Sequence, residues 1–231
     1  MTGRPLHVVL LGSGKTGSIV AAVAAERGHR TTILTDIENP DASWLTPENL
    51  RDVDAVIDFT TPDAVLDNIA RCIAAKAPMV VGTTGWYGEL DRVKQDVERA
   101  GAGFVFGANF SYGVNLFFQI ARAAAPALQH GYTAHITETH HVHKIDAPSG
   151  TAIALQRVVA QASGVQAEIT SVREGEVMGI HTLELESEGD RMVLTHEVKS
   201  RRTFALGAVL AAEWIVGKTG FYDFKDIFGQ L

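Results

Sequence analysis

The segment from Glu138 to Thr151 reads E-T-H-H-V-H-K-I-D-A-P-S-G-T and gathers groups able to move protons. Three of the nine histidines, His140, His141 and His143, fall within four residues, and Lys144 follows directly. Imidazoles titrate near neutrality and ammonium groups well above it, so donors on both sides of pH 7 stand together. Pro148 stops extended structure, and Ser149 is placed to cap a helix whose apolar positions Ile153, Leu155, Val158 and Val159 form a buried stripe. The first backbone N–H groups of such a helix lack partners inside it and point at an anion. Lysine, histidines and a helix start in one place suggest a carboxylate-bearing substrate that is protonated during reaction. The bland alternatives are a solvated polar loop and a zinc site made by the three histidines with Glu138. No spacing here matches a helical H-E-x-x-H site, and the Lys144 cation opposes a metal, so the expectation is no metal.

Something must position this segment, and composition limits what that can be. A chain of 231 residues has room for one large domain or two small ones, and 46% apolar with 20% charged residues is ordinary for a globular protein. A net charge of -7 argues against nucleic acid or an anionic membrane as partner, so a small anion needs a local cationic pocket. Cys72 is the only cysteine, which excludes an intrachain disulfide. The apolar run from Val8 to Leu11 stops at Gly12, too soon for a signal peptide; a cytoplasmic protein without transmembrane segments is expected.

The first hundred residues alternate between strand and helix patterns. Leu6 to Leu11 is a short apolar run, Gly12-Ser13-Gly14-Lys15-Thr16-Gly17 a glycine turn, and Ser18 to Glu26 a helical stretch. In that setting Gly12 permits the tight turn, Gly14 lets backbone approach a pyrophosphate, and Gly17 lets helix and strand pack closely. Thr31 to Thr35 reads as the next strand, ending at Asp36, 24 residues after Gly12, where an acid accepts both ribose hydroxyls of NAD. That charge disfavours a 2'-phosphate, and no arginine follows it, so NADH is favoured over NADPH, with Lys15 a partial counterweight. Gly14-Lys15-Thr16 also resembles the tail of a P-loop, but the first glycine of that motif falls on Val9, inside the strand. Further strands are expected at Asp54 to Thr60, Pro78 to Val81 and Gly103 to Gly107, with helices at Asp63 to Lys76 and Trp86 to Ala100. In a parallel sheet ligands bind beyond the carboxyl ends of strands. Asp58-Phe59-Thr60, Gly82-Thr83-Thr84-Gly85 and Gly107-Ala108-Asn109-Phe110-Ser111 fall there and can line a nicotinamide ribose.

The second half changes period. A helix from Ser111 to Gln129 with a break at Pro126 is followed by alternating runs at Tyr132 to His141, Glu168 to Arg173, His181 to Glu186 and Met192 to Val198. With one helix, Gly150 to Ser163, as its main cover, such a sheet leaves a face open, which predicts a homo-oligomer of D2 symmetry. The Thr203 to Gly217 helix and the aromatic tail Gly220 to Phe228 are expected to return to the first domain. Arg201 and Arg202 face either a substrate anion or solvent. The expected fold class is α/β, a Rossmann-like parallel-sheet domain (1–110 and 204–231) plus a smaller α+β domain with an open mixed sheet (111–203).

Taken together, D-F-T-T-P at 58–62, G-T-T-G at 82–85, A-N-F-S-Y-G-V-N at 108–115, H-H-V-H-K-I-D-A-P-S-G-T-A at 140–152 and S-R-R-T-F-A-L-G-A at 200–208 resemble the dihydrodipicolinate reductase family of lysine and diaminopimelate biosynthesis. The resemblance implies that His140 is the general acid/base, Lys144 a proton donor and substrate contact, and His141, Ser149, Gly150 and Thr151 further substrate contacts. It implies cofactor contacts at Gly12, Ser13, Gly14, Lys15, Thr16, Gly17, Asp36, Gly82, Thr83, Thr84, Gly107, Ala108, Asn109 and Phe110, to which the strand-end position adds Phe59 and Thr60. It also implies a small dicarboxylate substrate, NADH or NADPH, and a homotetramer. The chain departs from the family in its glycine loop, G-S-G-K-T-G where many members read G-x-x-G-R-M-G, and in Val142, where many carry arginine. Two other classes of function are a catalytically silent NAD-binding sensor and a metal-dependent hydrolase using the histidine cluster.

Overall fold

The computed structural model describes residues 4–231, which divide into two compact units, 4–112 with 201–231, and 113–200. In the first unit the strands β1 (His7–Leu11), β2 (Arg30–Leu34), β3 (Ala55–Asp58), β4 (Met79–Val81) and β5 (Gly103–Phe106) lie in one parallel sheet. Helices α1 (Lys15–Glu26), α2 (Pro62–Ala74) and α3 (Leu90–Ala100) connect them. Burial on both faces explains why β1 is a continuous apolar run: Val8 and Leu10 enter one core layer with α1, Val9 and Leu11 the other with α2 and α3. Strand order reverses on either side of β1, with β2 on one flank and β3 on the other, and the crevice at such a reversal is where ligands bind.

One local reading is corrected. The helical pattern from Trp86 to Ala100 becomes a 3-10 turn at Tyr87–Glu89 and only then α3, because Trp86 is buried and its Nε1–H donates to Thr83 O at 2.9 Å. The break expected at Pro126 is present: α4 (Tyr112–Ala124) tightens into a 3-10 helix at Ala125–His130, around Pro126, whose nitrogen has no hydrogen to donate.

In the second unit β6 (Thr133–His140) is central, parallel to β7 (Glu168–Arg173) and antiparallel to β8 (Ile180–Glu186), which pairs with β9 (Arg191–Glu197). Helix α5 (Gly150–Ser163) covers one face through Ala152, Leu155 and Val159, packed on Ile136, Leu183 and Leu185. The other face carries Thr137, Thr170, Thr182 and Thr195, with Val172 and Val193 36% and 49% exposed.

The chain ends in the first unit. Helix α6 (Arg202–Ile215) contributes Glu213, which accepts two hydrogen bonds from Arg27 (2.5 and 2.8 Å) and lies 2.8 Å from His29 Nε2. The aromatic tail forms β10 (Gly220–Asp223), a sixth parallel strand beside β5, and the short α7 (Phe224–Ile227); the strand was not expected. Among the described residues no helix is long and apolar enough to cross a membrane.

Candidate functional site

Alternation along β6 puts Ile136, Glu138 and His140 on the face under α5, and the antiparallel register sets Glu138 opposite His181 of β8. Glu138 is completely buried, which would be costly for a lone carboxylate. Its Oε1 accepts from Arg173 Nη2 at 2.9 Å and from the Ser149 N–H at 3.3 Å, and its Oε2 accepts from His140 Nδ1. His140 stacks edge to face on His181, ring centres 5.1 Å apart. Gly179 leaves room beside the ring: a Cβ there would lie 2.9 Å from His140 Nε2.

Electrostatics follow from this packing. Burial by itself would raise the Glu138 pKa, but hydrogen bonds from Arg173, Ser171 and His140 outweigh it and hold the carboxyl below its usual range. An ionised Glu138 only accepts, so a hydrogen bond between the two requires a proton on His140 Nδ1. Burial lowers the His140 pKa, opposed by Glu138 and aided by the Lys144 and Arg173 charges. His181 is pushed down to about 4, first by burial and then by His140. Ligand atoms of Glu138, His140 and His181 lie within 4.8 Å of one another, but Arg173 already neutralises the carboxylate and His181 Nε2 bonds Ser149 Oγ at 3.0 Å. The arrangement therefore suits proton handling rather than a cation.

Of the other residues singled out, Lys144 pairs through Nζ with Asp146 at 2.8 Å, and Arg173 holds that loop by the carbonyls of Lys144 (3.3 Å) and Asp146 (2.6 Å). The three histidines of the motif do not meet at one point: the His141 and His143 rings lie 6.1 Å apart, while His140 turns to Glu138. His141 is half-buried with Nδ1 lacking a partner, whereas His143 is exposed and 3.6 Å from Glu176. Ser149 caps α5, accepting from the Ala152 N–H at 3.2 Å, and is buried, so its hydroxyl is spent inside the protein. Gly150 and Thr151 form the first turn of α5, and nothing stands within 4 Å of a Cβ placed at Gly150. Arg202 is exposed and pairs with Glu26 at 2.9 Å.

The first unit carries a separate cradle at its strand ends. Gly12 has φ +92°, and a Cβ at Gly17 would lie 2.1 Å from Gly12 O, so helix and turn touch backbone to backbone. Gly14, the α1 N-cap, has open space where its Cβ would be, which is the room an approaching phosphate requires. Gly14, Lys15, Thr16, Phe59, Thr60, Gly82, Thr83 and Thr84 line a cavity of about 280 Å³. Thr60 also lines a neighbouring cavity of about 400 Å³, with Asp36, Asp41, Asp63 and Asp67 on its wall and neither lysine nor arginine. The glycine turn and both cavities fit an extended dinucleotide. Ser13, Ala108 and Asn109 line neither cavity, and the Phe110 ring is buried against Phe59 and Phe224.

Residue reading missed the partners that hold both sites. Arg173 bonds Glu138 and His181 packs on His140 from strands distant in sequence, and only the strand register reveals them. Asp58 at the end of β3 is buried and accepts from Thr60 N–H (2.9 Å), Thr60 Oγ (2.8 Å), Thr83 Oγ (2.7 Å) and Asn68 Nδ2 (2.9 Å), tying the loops after β3 and β4 together. Burial raises the Asp58 pKa despite those bonds.

Comparison with known proteins identifies the family. Residues 6–110 match the family model described as dihydrodipicolinate reductase, N-terminus, and residues 113–228 the model described as its C-terminus. The 4-hydroxy-tetrahydrodipicolinate reductase of Christiangramia forsetii is 36% identical over 242 residues, covering 98% of this chain and 99% of the relative. That of Laribacter hongkongensis is 42% identical over 256 residues, covering 98% and 95%. A solved structure titled dipicolinate bound dihydrodipicolinate reductase from Paenisporosarcina sp. TG-14 has the same fold, with a TM-score of 0.81 at 22% identity over 97% of this chain and all (100%) of that one. The chain belongs to the dihydrodipicolinate reductase family.

Proposed function

We propose that this chain is a 4-hydroxy-tetrahydrodipicolinate reductase, an oxidoreductase that uses a reduced nicotinamide nucleotide to yield tetrahydrodipicolinate. The observation that carries the reading is the buried Glu138–His140 pair set beside the Lys144 loop and the start of α5. The glycine turn, Asp36 and the loops at Phe59–Thr60, Gly82–Thr84 and Gly107–Phe110 would hold the nucleotide, which when bound supplies a hydride to C4 of the unsaturated ring. The chain's own residues handle the proton and the charge. His141, Lys144 and the N–H groups of Gly150 and Thr151 neutralise a dicarboxylate, with Ser149 fixing the helix start that presents them. Burial lowers the His140 pKa, so a proton delivered through Nε2 must first be taken up from solvent, while the Lys144 ammonium donates to the substrate directly.

NADH is the preferred nucleotide in this reading, because four aspartates and no cation line the cavity that starts at Asp36, and a 2'-phosphate would meet like charge. The uncovered threonine-rich face of the second sheet supports a homotetramer. The test is to follow oxidation of NADH and of NADPH by their near-ultraviolet absorbance, coupled to the synthase that makes the unstable substrate. Turnover with NADH the better donor is the expected result; tight nucleotide binding without turnover contradicts it. Light scattering that finds only a 24.8 kDa species removes the tetramer.

A further inference from the structure

A buried carboxylate persists only if it is neutralised, and the group that neutralises Glu138 does more than cancel its charge. Arg173 Nη2 donates both to Glu138 Oε1 at 2.9 Å and to Asp146 O at 2.6 Å, and its Nε donates to Lys144 O at 3.3 Å. One planar guanidinium therefore touches the carboxylate that orients His140 and the backbone that carries Lys144. A lysine ammonium lacks the fork needed to do this from one position. We propose that Glu138 and Arg173 are positioning residues, Glu138 fixing the His140 proton on Nδ1 so that Nε2 is the working nitrogen, and Arg173 locking the Lys144 loop to the same carboxylate. This inference rests on the acid/base reading of His140.

The imidazole is ringed by Glu138 on its own strand, Arg173 on β7, His181 on β8 and Lys144 in the following loop. Glu138 alone among these is anionic. Glu138→Gln keeps the shape and removes the charge, leaving the cations to suppress protonation of His140. The expected result is a kcat lower by roughly 10- to 100-fold, the loss usual when the partner orienting an imidazole is removed. The limb of the pH profile that reports His140 moves to lower pH, while NADH affinity, measured by calorimetry, is unchanged. Arg173→Lys keeps the charge but not the fork; it is expected to raise KM for the dicarboxylate and lower kcat together, again sparing NADH binding. A Glu138→Gln enzyme with wild-type kcat and an unmoved limb overturns the Glu138 role, and an Arg173→Lys enzyme equal to wild type overturns that of Arg173.

Because removing a buried charge can unfold a protein, side-chain nitrogen NMR of the histidines in the ligand-free wild-type protein provides a second readout. Neutral His140 is expected as a single Nδ1–H tautomer; an Nε2–H form or an exchanging mixture overturns the proposal with no variant made. His140→Ala separates the two layers of argument: full activity there sinks the acid/base reading itself, whereas loss of activity there beside a silent Glu138→Gln sinks only the positioning role.

Discussion

The strand ends of the first unit and the β6 face of the second are built on opposite plans. Around Gly12, Gly14 and Gly17 the protein offers backbone and space: Gly14, Lys15 and Asp36 are exposed, and side chains stay out of the way. Around Glu138 it offers paired charge without space: Glu138, His140 and His181 are all buried, and each orients another. A long cofactor is gripped by many weak backbone contacts, whereas moving a proton to a defined atom needs few groups held firmly. The contrast teaches that substitutions in the two places should fail differently, the first in binding and the second in rate.

The largest effect should come from His140→Ala, a kcat reduced by about 100- to 10,000-fold, read in steady-state kinetics. Next is stability against acid. The His181 pKa falls to about 4 in the folded protein, below its ordinary value of 6.5, so the unfolded chain takes up the proton first as pH drops. Stability is then fully present above pH 6.5 and lost between there and about 4, by up to roughly 3 kcal/mol. Denaturant unfolding across that window should show the slope, and His181→Asn should flatten it. Lys144→Ala should lower kcat/KM for the dicarboxylate by about 10- to 100-fold, the worth of a charged hydrogen bond. The smallest effect is in the cradle: Asp36→Ala should shift preference toward NADPH by about fivefold to tenfold, as removing one surface charge implies. An unchanged ratio there would mean that Asp41, Asp63 or Asp67 sets the preference instead.

The same contrast explains what residues in order could reveal. The cradle was legible because its parts are contiguous: Gly12 to Gly17 form one turn, and β1 declares itself by four buried apolar residues, Val8 to Leu11. The fold class followed from alternating strand and helix patterns, and the chain has the parallel and mixed sheets they imply. The β6 site was legible only in part. His140, Lys144 and Ser149 lie in one motif, but Arg173 reaches Glu138 and His181 reaches His140 through strand pairing, which depends on register and not on spacing. The neighbouring histidines misled in one respect. Successive residues leave a strand end in different directions, so His143 stays in solvent while His140 is buried. β10 was missed because four residues rich in aromatics resemble a packed tail as much as an edge strand.

The division of labour between the two places is tested most directly by calorimetric titration of NADH into folded His140→Ala and Gly17→Ala proteins. A methyl at Gly17 must push helix from turn, since its carbon would lie 2.1 Å from Gly12 O. The expected result is an unchanged Kd for His140→Ala and one weakened by about tenfold or more, at least 1.4 kcal/mol, for Gly17→Ala. Weakened binding in His140→Ala with normal binding in Gly17→Ala would contradict the account.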